Sequence, residues 1–131
     1  MKLVLDTNVI ISAFINPAGN PSQILKLAIN RKARLCYNTV ILYEYESVMK
    51  RPKFSNRIDP KAVSRFIDLI RSIGISYSPV PGNKTLPDES DRIFYDTAKE
   101  TGSVLVTGNL KHFPQEPFII SPADFMRRFG G

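Results

Sequence analysis

Four acidic residues occupy positions where a carboxylate can do chemistry. Asp6 ends an aliphatic run in LVLDTNVI, so it is either a helix cap or one corner of a charged site. Glu44 lies in TVILYEYESVMK, on the side of a helix that Val40, Ile41 and Val48 share at about 100° per residue. A carboxylate on an apolar stripe is costly unless a cation, a metal or a hydrogen-bond donor meets it. Asp88 and Asp91, in PDESDRIFYDTA, are three apart and face the same way, with Tyr95 and Ala98 continuing that side. In LVTGNLKHF, Asn109 offers a carbonyl to a metal or its water without adding charge, and Gly108 permits the turn that would place it.

Each position also has an ordinary structural explanation. Asp88 at a cap and Asp91 one turn on would resemble a capping box, acids suited to the positive end of a helix dipole. Asp88 is therefore expected as a cap first and a second ligand after that. Asp91 is the metal candidate, because it sits farther into the helix and aligns with the small Ala98. Asn109 serves equally well as a turn residue. Glu46 has Lys50 four residues on and reads as a solvated pair, and Asp96, with Arg92 and Lys99 in reach, reads as surface.

Asp6, Glu44 and Asp91 come from three separate segments, and converging carboxylates raise one another's pKa unless a cation joins them. Oxygen ligation favours Mg²⁺ or Mn²⁺ over zinc. One histidine and one cysteine exclude a His₂ or Cys₂ zinc site. A Ser-His-Asp system would rest on His112, which has no nucleophile motif nearby, and no Gly-rich loop ends in GK[ST]. Carboxylate-held metal acting on phosphate remains.

The elements that must position these groups alternate. KLVLD, ARLCYN, ISYSPV, SVLVT and EPFIIS read as five strands. Helices are expected from Val9 to Ile15, from a Ser22 cap, from a Thr39 cap to before Pro52, from Asp59-Pro60 to Gly74, from Asp88 or Ser90 to Gly102, and over PADFMRRF. This alternation predicts an α/β fold with a parallel sheet covered on both faces. Ligands of such sheets gather at carboxyl ends of strands where the strand order reverses. Asp6 lies at such an end, and Thr107 and Asn109 lie just past another.

At 131 residues the chain is expected to be one domain, 1–131, large enough for a core without disulfides. No apolar run approaches the roughly 20 residues of a membrane span. The apolar start is cut short by Asp6, Thr7 and Asn8, unlike a secretory signal. The lone Cys36 excludes an internal disulfide framework and suits a reducing compartment, so the cytoplasm is the expected setting. The net charge of +6 is unevenly spread. Lys26–Arg65 holds ten basic residues against three acids, whereas Asp88–Glu100 holds five acids against two bases. Basic surface beside an acidic patch suits a polyanion delivered to carboxylate-bound cations, though solubilising helices explains the charge alone as well.

With VLDTNVIISA, the glutamate of LYEYESVMKRPKF, PDESDRIFYDTA and LVTGNLKHFP in this order, the sequence resembles the PIN-domain ribonucleases, and within them the VapC-like toxin components of toxin–antitoxin systems. The resemblance spans nearly the whole chain. It implies a three-layer α/β/α fold and makes Asp6, Glu44 and Asp91 the metal ligands for Mg²⁺ or Mn²⁺. Asn109 falls where many relatives carry a fourth Asp, so one ion or two stays open. Thr7, Asn8 and Thr107 match positions that orient ligands or water. The implied reaction is metal-assisted endonucleolytic hydrolysis of RNA, leaving a 5′-phosphate and a 3′-hydroxyl, restrained by a protein antitoxin. Arg31, Lys32, Arg51, Lys53 and Arg57 are candidate backbone contacts, each equally explicable as solvated surface. Two other readings stay open: a non-catalytic RNA-binding or assembly module of the same fold, and a nuclease acting on DNA. The oligomeric state, homodimer or higher, is not fixed by the sequence.

Overall fold

The computed structural model describes residues 1–130; Gly131, the last residue of the expected domain, lies outside the described residues. Its centre is the strand Lys2–Leu5 (β1), in which Leu3, Val4 and Leu5 are all buried. Strands of a parallel sheet are covered on both faces and so read as continuous apolar runs rather than alternating ones. Arg34–Tyr37 (β2), Ile75–Ser76 (β3), Val104–Val106 (β4) and Ile119–Ile120 (β5) complete a five-stranded sheet in the order β3-β2-β1-β4-β5. All four pairings are parallel, with Leu3 opposite Leu35 on one side and Val104 on the other. Both edge strands are only two residues long, shorter than ISYSPV and EPFIIS suggest. Pro79, Pro81 and Pro117 carry no N–H to extend a ladder there.

Six α-helices cover the sheet: Thr7–Ile15 (α1), Asn20–Ile29 (α2), Thr39–Met49 (α3), Pro60–Ile73 (α4), Arg92–Thr101 (α5) and Pro122–Phe129 (α6). Right-handed crossovers place α1–α4, which link β1 to β2 and β2 to β3, on one face, and α5, which links β3 to β4, on the other. The result is the expected three-layer α/β/α architecture. None of the described helices is long and apolar enough to cross a membrane.

Several helix starts differ from the sequence expectation. Asp6 caps α1, so that helix begins at Thr7 rather than Val9. Gly19 precedes α2, and Ser22, expected as its cap, is buried inside it. Asn38, not Thr39, caps α3: its Oδ1 accepts from Ile41 N at 3.0 Å, while Nδ2 donates to Thr97 Oγ1 and Tyr77 O, both at 3.0 Å. One buried amide thus ties α3, α5 and the segment after β3 together. Gly102 takes φ +68° and ends α5, a left-handed turn that glycine adopts without penalty.

Candidate active site

Sheet order reverses beside β1, whose neighbours β2 and β4 lead away in opposite directions, and Asp6 stands at that point. Its backbone N–H continues the β1–β4 ladder by donating to Val106 O at 3.0 Å. Its side chain is fixed from both sides: Thr7 N donates to Oδ1 at 2.8 Å, and Thr107 Oγ1 donates to Oδ2 at 2.8 Å. Asp6 is 7% exposed, and burial pushes its carboxyl above the usual range, against the lowering effect of those two donors. Capping and site placement are therefore the same geometry. Thr7 Oγ1, also buried, has no hydrogen-bond partner among the described residues.

The second acid arrives from α5. A short 3₁₀ turn, Glu89–Asp91, precedes that helix, so Asp91 stands at its cap position rather than within it. Asp88 caps the 3₁₀ turn, accepting from Ser90 N at 2.9 Å and Ser90 Oγ at 2.8 Å, and these bonds hold its carboxyl below the usual range. The cap role expected of Asp88 is thus the one it fills. Asp91 makes no capping bond, and its Oδ2 is buried without a hydrogen-bond partner. Burial first, then the charges of Asp6, Asp88 and Glu44, push its carboxyl up to about 6; nearby His112 pulls the other way.

Glu44 is carried to this edge by its neighbour. Tyr45, almost fully buried, donates its hydroxyl to Leu5 O at 2.5 Å, pinning α3 over the end of β1 immediately before Asp6. Glu44 is half-buried, as its place beside the buried Ile41 and Val48 predicts; Val40, counted on the same stripe, is instead 54% exposed. Glu46 pairs with Lys50 at 3.2 Å on the outer surface, as expected.

On the β4 side, Thr107 Oγ1 accepts from Asn109 N at 3.0 Å while donating to Asp6, and Asn8 Oδ1 accepts from Gly108 N at 3.1 Å. Thr7, Asn8 and Thr107 thus form one hydrogen-bonded frame around Asp6. Asn109 Nδ2 lies 3.0 Å from His112 Nε2, and His112 Nδ1 lies 3.4 Å from Asp91 Oδ2. The second contact lacks hydrogen-bond alignment, which leaves Asp91 Oδ2 unpartnered. Asp88, Asp91 and His112 each present a ligand atom within 4.8 Å of one another. The sequence weighs His112 only for a Ser-His-Asp system and does not place it beside the acids. Its spacing of three from Asn109, across a short 3₁₀ turn, is the signal that marks it.

Two further residues carry structural weight that the sequence hides. Asp96, expected at the surface, is buried, accepting from Gly82 N at 3.1 Å and pairing with Arg92 Nη1 at 3.5 Å. The loop after β3 folds back over it, which no helical spacing reports. Arg31 and Lys32 precede β2 and so lie at the amino edge of the sheet. Asp6 stands at the opposite edge, about 13 Å of strand away at roughly 3.3 Å per residue. Arg51, Lys53 and Arg57 are exposed beyond the end of α3, with the Lys53 ammonium 5.1 Å from the Phe54 ring centre.

The chemistry of this edge is that of clustered oxygens short of cations. After burial, the charges of Asp6, Asp88 and Glu44 each raise the Asp91 carboxyl, and the buried Asp91 Oδ2 has no hydrogen-bond partner among the described residues. Among the described residues the ligand atoms that come close enough to share one cation are those of Asp88, Asp91 and His112, whereas Asp6 and Glu44 bear on Asp91 through their charges.

The chain is similar to known proteins in sequence and in fold. The PIN domain family model matches residues 2–111. The uncharacterized protein MJ1680 of Methanocaldococcus jannaschii is 30% identical over 110 residues, covering 83% of this chain and 71% of that protein. PAE2754 from Pyrobaculum aerophilum superposes with a TM-score of 0.59 at 19% identity, covering 98% of this chain and 88% of its own. VapBC2 from Rickettsia felis, solved bound to a DNA fragment from its promoter, superposes with a TM-score of 0.56 at 18% identity, covering 92% and 97%. At those identities the two structures speak for the fold. The family match runs from the first strand through the Asn109 turn, and the chain belongs to the PIN domain family.

Proposed function

We propose that this chain is a divalent-metal-dependent endoribonuclease, a single PIN domain acting in the cytoplasm as the toxin of a type II toxin–antitoxin pair. The observation that carries the reading is Asp91, whose buried Oδ2 has no partner and whose carboxyl is raised first by burial and then by three neighbouring acids. Such an arrangement is costly in isolation and is relieved by a cation. Asp6, Glu44 and Asp91 would hold Mg²⁺ or Mn²⁺. When bound, the ion supplies a water of lowered pKa and offsets charge that develops on the phosphate.

The chain's own residues do the positioning. Thr7 N and Thr107 Oγ1 lock both oxygens of Asp6, so its orientation costs nothing at the moment of binding. Tyr45 holds α3, and with it Glu44, against the end of β1. Asn109 holds the His112 ring beside Asp91. RNA as substrate and an antitoxin partner rest on the resemblance of the motifs. The likeness to VapBC2, a complex bound to promoter DNA, supports the toxin–antitoxin setting.

One observation favours a second reading. The family resemblance implies a fourth Asp where Asn109 stands, and the Asn109 amide is engaged by His112, which suits a non-catalytic RNA-binding or assembly module. Calorimetric titration of Mn²⁺ into wild type and Asp6→Asn, with RNA cleavage measured in parallel, separates the two. Metal binding lost in the variant, together with cleavage by wild type, is the expected result. A wild type that binds no metal and leaves RNA intact over long incubation defeats the nuclease reading. Parallel assays on single-stranded RNA and DNA decide the sugar.

A further inference from the structure

His112, the one histidine of the chain, has a polar neighbour at each ring nitrogen. Nδ1 lies 3.4 Å from Asp91 Oδ2, and Nε2 lies 3.0 Å from Asn109 Nδ2. The first contact is the one that needs a reason. It lacks the alignment of a hydrogen bond, and Asp91 Oδ2 is buried with no partner among the described residues. A histidine placed only to neutralise Asp91 would aim its N–H at that oxygen, because an aligned charge-assisted bond is the strong form of the contact. Two donors to one ion are arranged differently. They stand side by side, each with a lone pair turned toward a third point rather than toward the other.

Asp88 completes the set. Both bonds that make it a cap, from Ser90 N and Ser90 Oγ, go to Oδ1, so Oδ2 is left without a donor among the described residues. One ligand atom each from Asp88, Asp91 and His112 lies within 4.8 Å of the other two. The ring is also held as ligand rings are held. A metal-bound imidazole keeps one nitrogen for the ion and hydrogen-bonds through the other, which fixes its tautomer and orientation. Nε2 has that partner in Asn109. A half-turn of the Asn109 amide presents Oδ1 to an Nε2–H and leaves the Nδ1 lone pair free beside Asp91.

A nitrogen donor changes which ion is held best. Imidazole adds to the affinity of first-row transition ions, whereas Mg²⁺ keeps to oxygen ligands and water. We infer that His112 supplies a nitrogen ligand, through Nδ1, to the cation held at Asp91 and Asp88, and that this donor makes the centre select Mn²⁺ over Mg²⁺. The inference rests on the divalent-metal reading above and adds the residue that chooses the ion. Asn109 orients the ring and does not itself touch the metal.

The test reads the donor atom directly, in the untagged full chain with substoichiometric Mn²⁺ and no RNA. Pulsed electron paramagnetic resonance detects a nitrogen bonded to Mn²⁺. Labelling with ¹⁵N-histidine alters that signal only if the nitrogen belongs to His112, because the chain has no other histidine. Wild type is expected to show a nitrogen signal that takes the ¹⁵N pattern on labelling, and His112→Ala to show none. Calorimetry should find Mn²⁺ bound at least about tenfold more weakly by His112→Ala, the scale of losing a partner at a metal site, with Mg²⁺ affinity unchanged. The His112 side chain is 47% exposed, so its removal leaves the core intact, which circular dichroism checks. Bound Mn²⁺ without a histidine nitrogen overturns the inference and leaves a carboxylate centre standing. So does a His112→Ala variant that loses both ions equally or neither, since the ring then only shapes or neutralises the acids. A wild type that binds no Mn²⁺ defeats the metal reading together with the inference, so the two failures are told apart.

Discussion

Asp91→Asn should make the metal-free protein more stable at neutral pH. The folded carboxyl titrates at about 6 against an ordinary value of 3.8, so folding favours its protonated form. The sign follows: that preference is fully expressed below pH 4 and is lost as pH rises through 6, above which the ionised group is a net cost. The difference, 6 − 3.8 ≈ 2.2 units, corresponds at 1.36 kcal/mol per unit to about 3 kcal/mol. Solvent reaches 15% of the side chain, so screening reduces this to about 1–2 kcal/mol. Asparagine keeps the shape without the charge, and no capping bond is lost because Asp91 makes none. Urea unfolding in EDTA at pH 7.5 should show the variant more stable by about 1–2 kcal/mol, a rise in melting temperature of roughly 3–8 °C. The gap should close by pH 4. Saturating Mn²⁺ should reverse the order, because a ligand at a hundred times its Kd adds about 2.7 kcal/mol to the form that binds it. An Asn variant that is equally or less stable at pH 7.5 in EDTA, or a gap that does not change with pH, refutes the argument.

The other substitutions divide chemistry from scaffolding. Asp6→Asn and Glu44→Gln should each abolish RNA cleavage while circular dichroism stays native; Glu46→Gln, on the outer face of the same helix, should cleave near normally. A large loss in the Glu46 variant would mean that the wrong glutamate had been assigned. Tyr45→Phe leaves Leu5 O without its buried donor and should cost about 1–3 kcal/mol by urea denaturation. It should also lower cleavage by loosening α3; full activity at full stability would show that the tether does not set Glu44. Asp96→Ala leaves the Gly82 N–H without its acceptor and takes from Arg92 one of its two carboxylate partners, and should speed hydrogen exchange in residues 77–87 before the strands respond. Exchange that stays at the wild-type rate there would count against Asp96 as the anchor of that loop.

What could be read from the chain depended on distance along it. The place of Asp6 at a strand end is legible because a buried aliphatic run ending in a carboxylate is local information, whereas helical spacing puts Asp91 inside a helix that in fact begins after it. Register within an element was less secure. Whether Asn38 or Thr39 caps α3 turns on where β2 stops, which is decided by its pairing with β1. Val40 was placed on an apolar stripe that the packing of α3 turns outward. Asp96 and His112 were opaque for a stronger reason: each matters because of residues brought to it from another element, Gly82 in one case and Asp91 in the other. Charge counts could not tell that Arg31 and Lys32 sit at the far edge of the sheet, since only the strand direction does so.

The pairing at the centre of the sheet has a consequence for synthesis. β1 is made well before β4, yet they are neighbours, and the Thr107–Asp6 bond spans 101 positions. At about 5–20 residues per second, the ribosome needs roughly 5–20 s to make the partner that completes Asp6. A chain arrested before Val104 has its first acid and its third but no frame to bring them together. On the nuclease reading proposed above, a chain arrested before Val104 is expected to be inactive, because Thr107 is not yet there to fix Asp6.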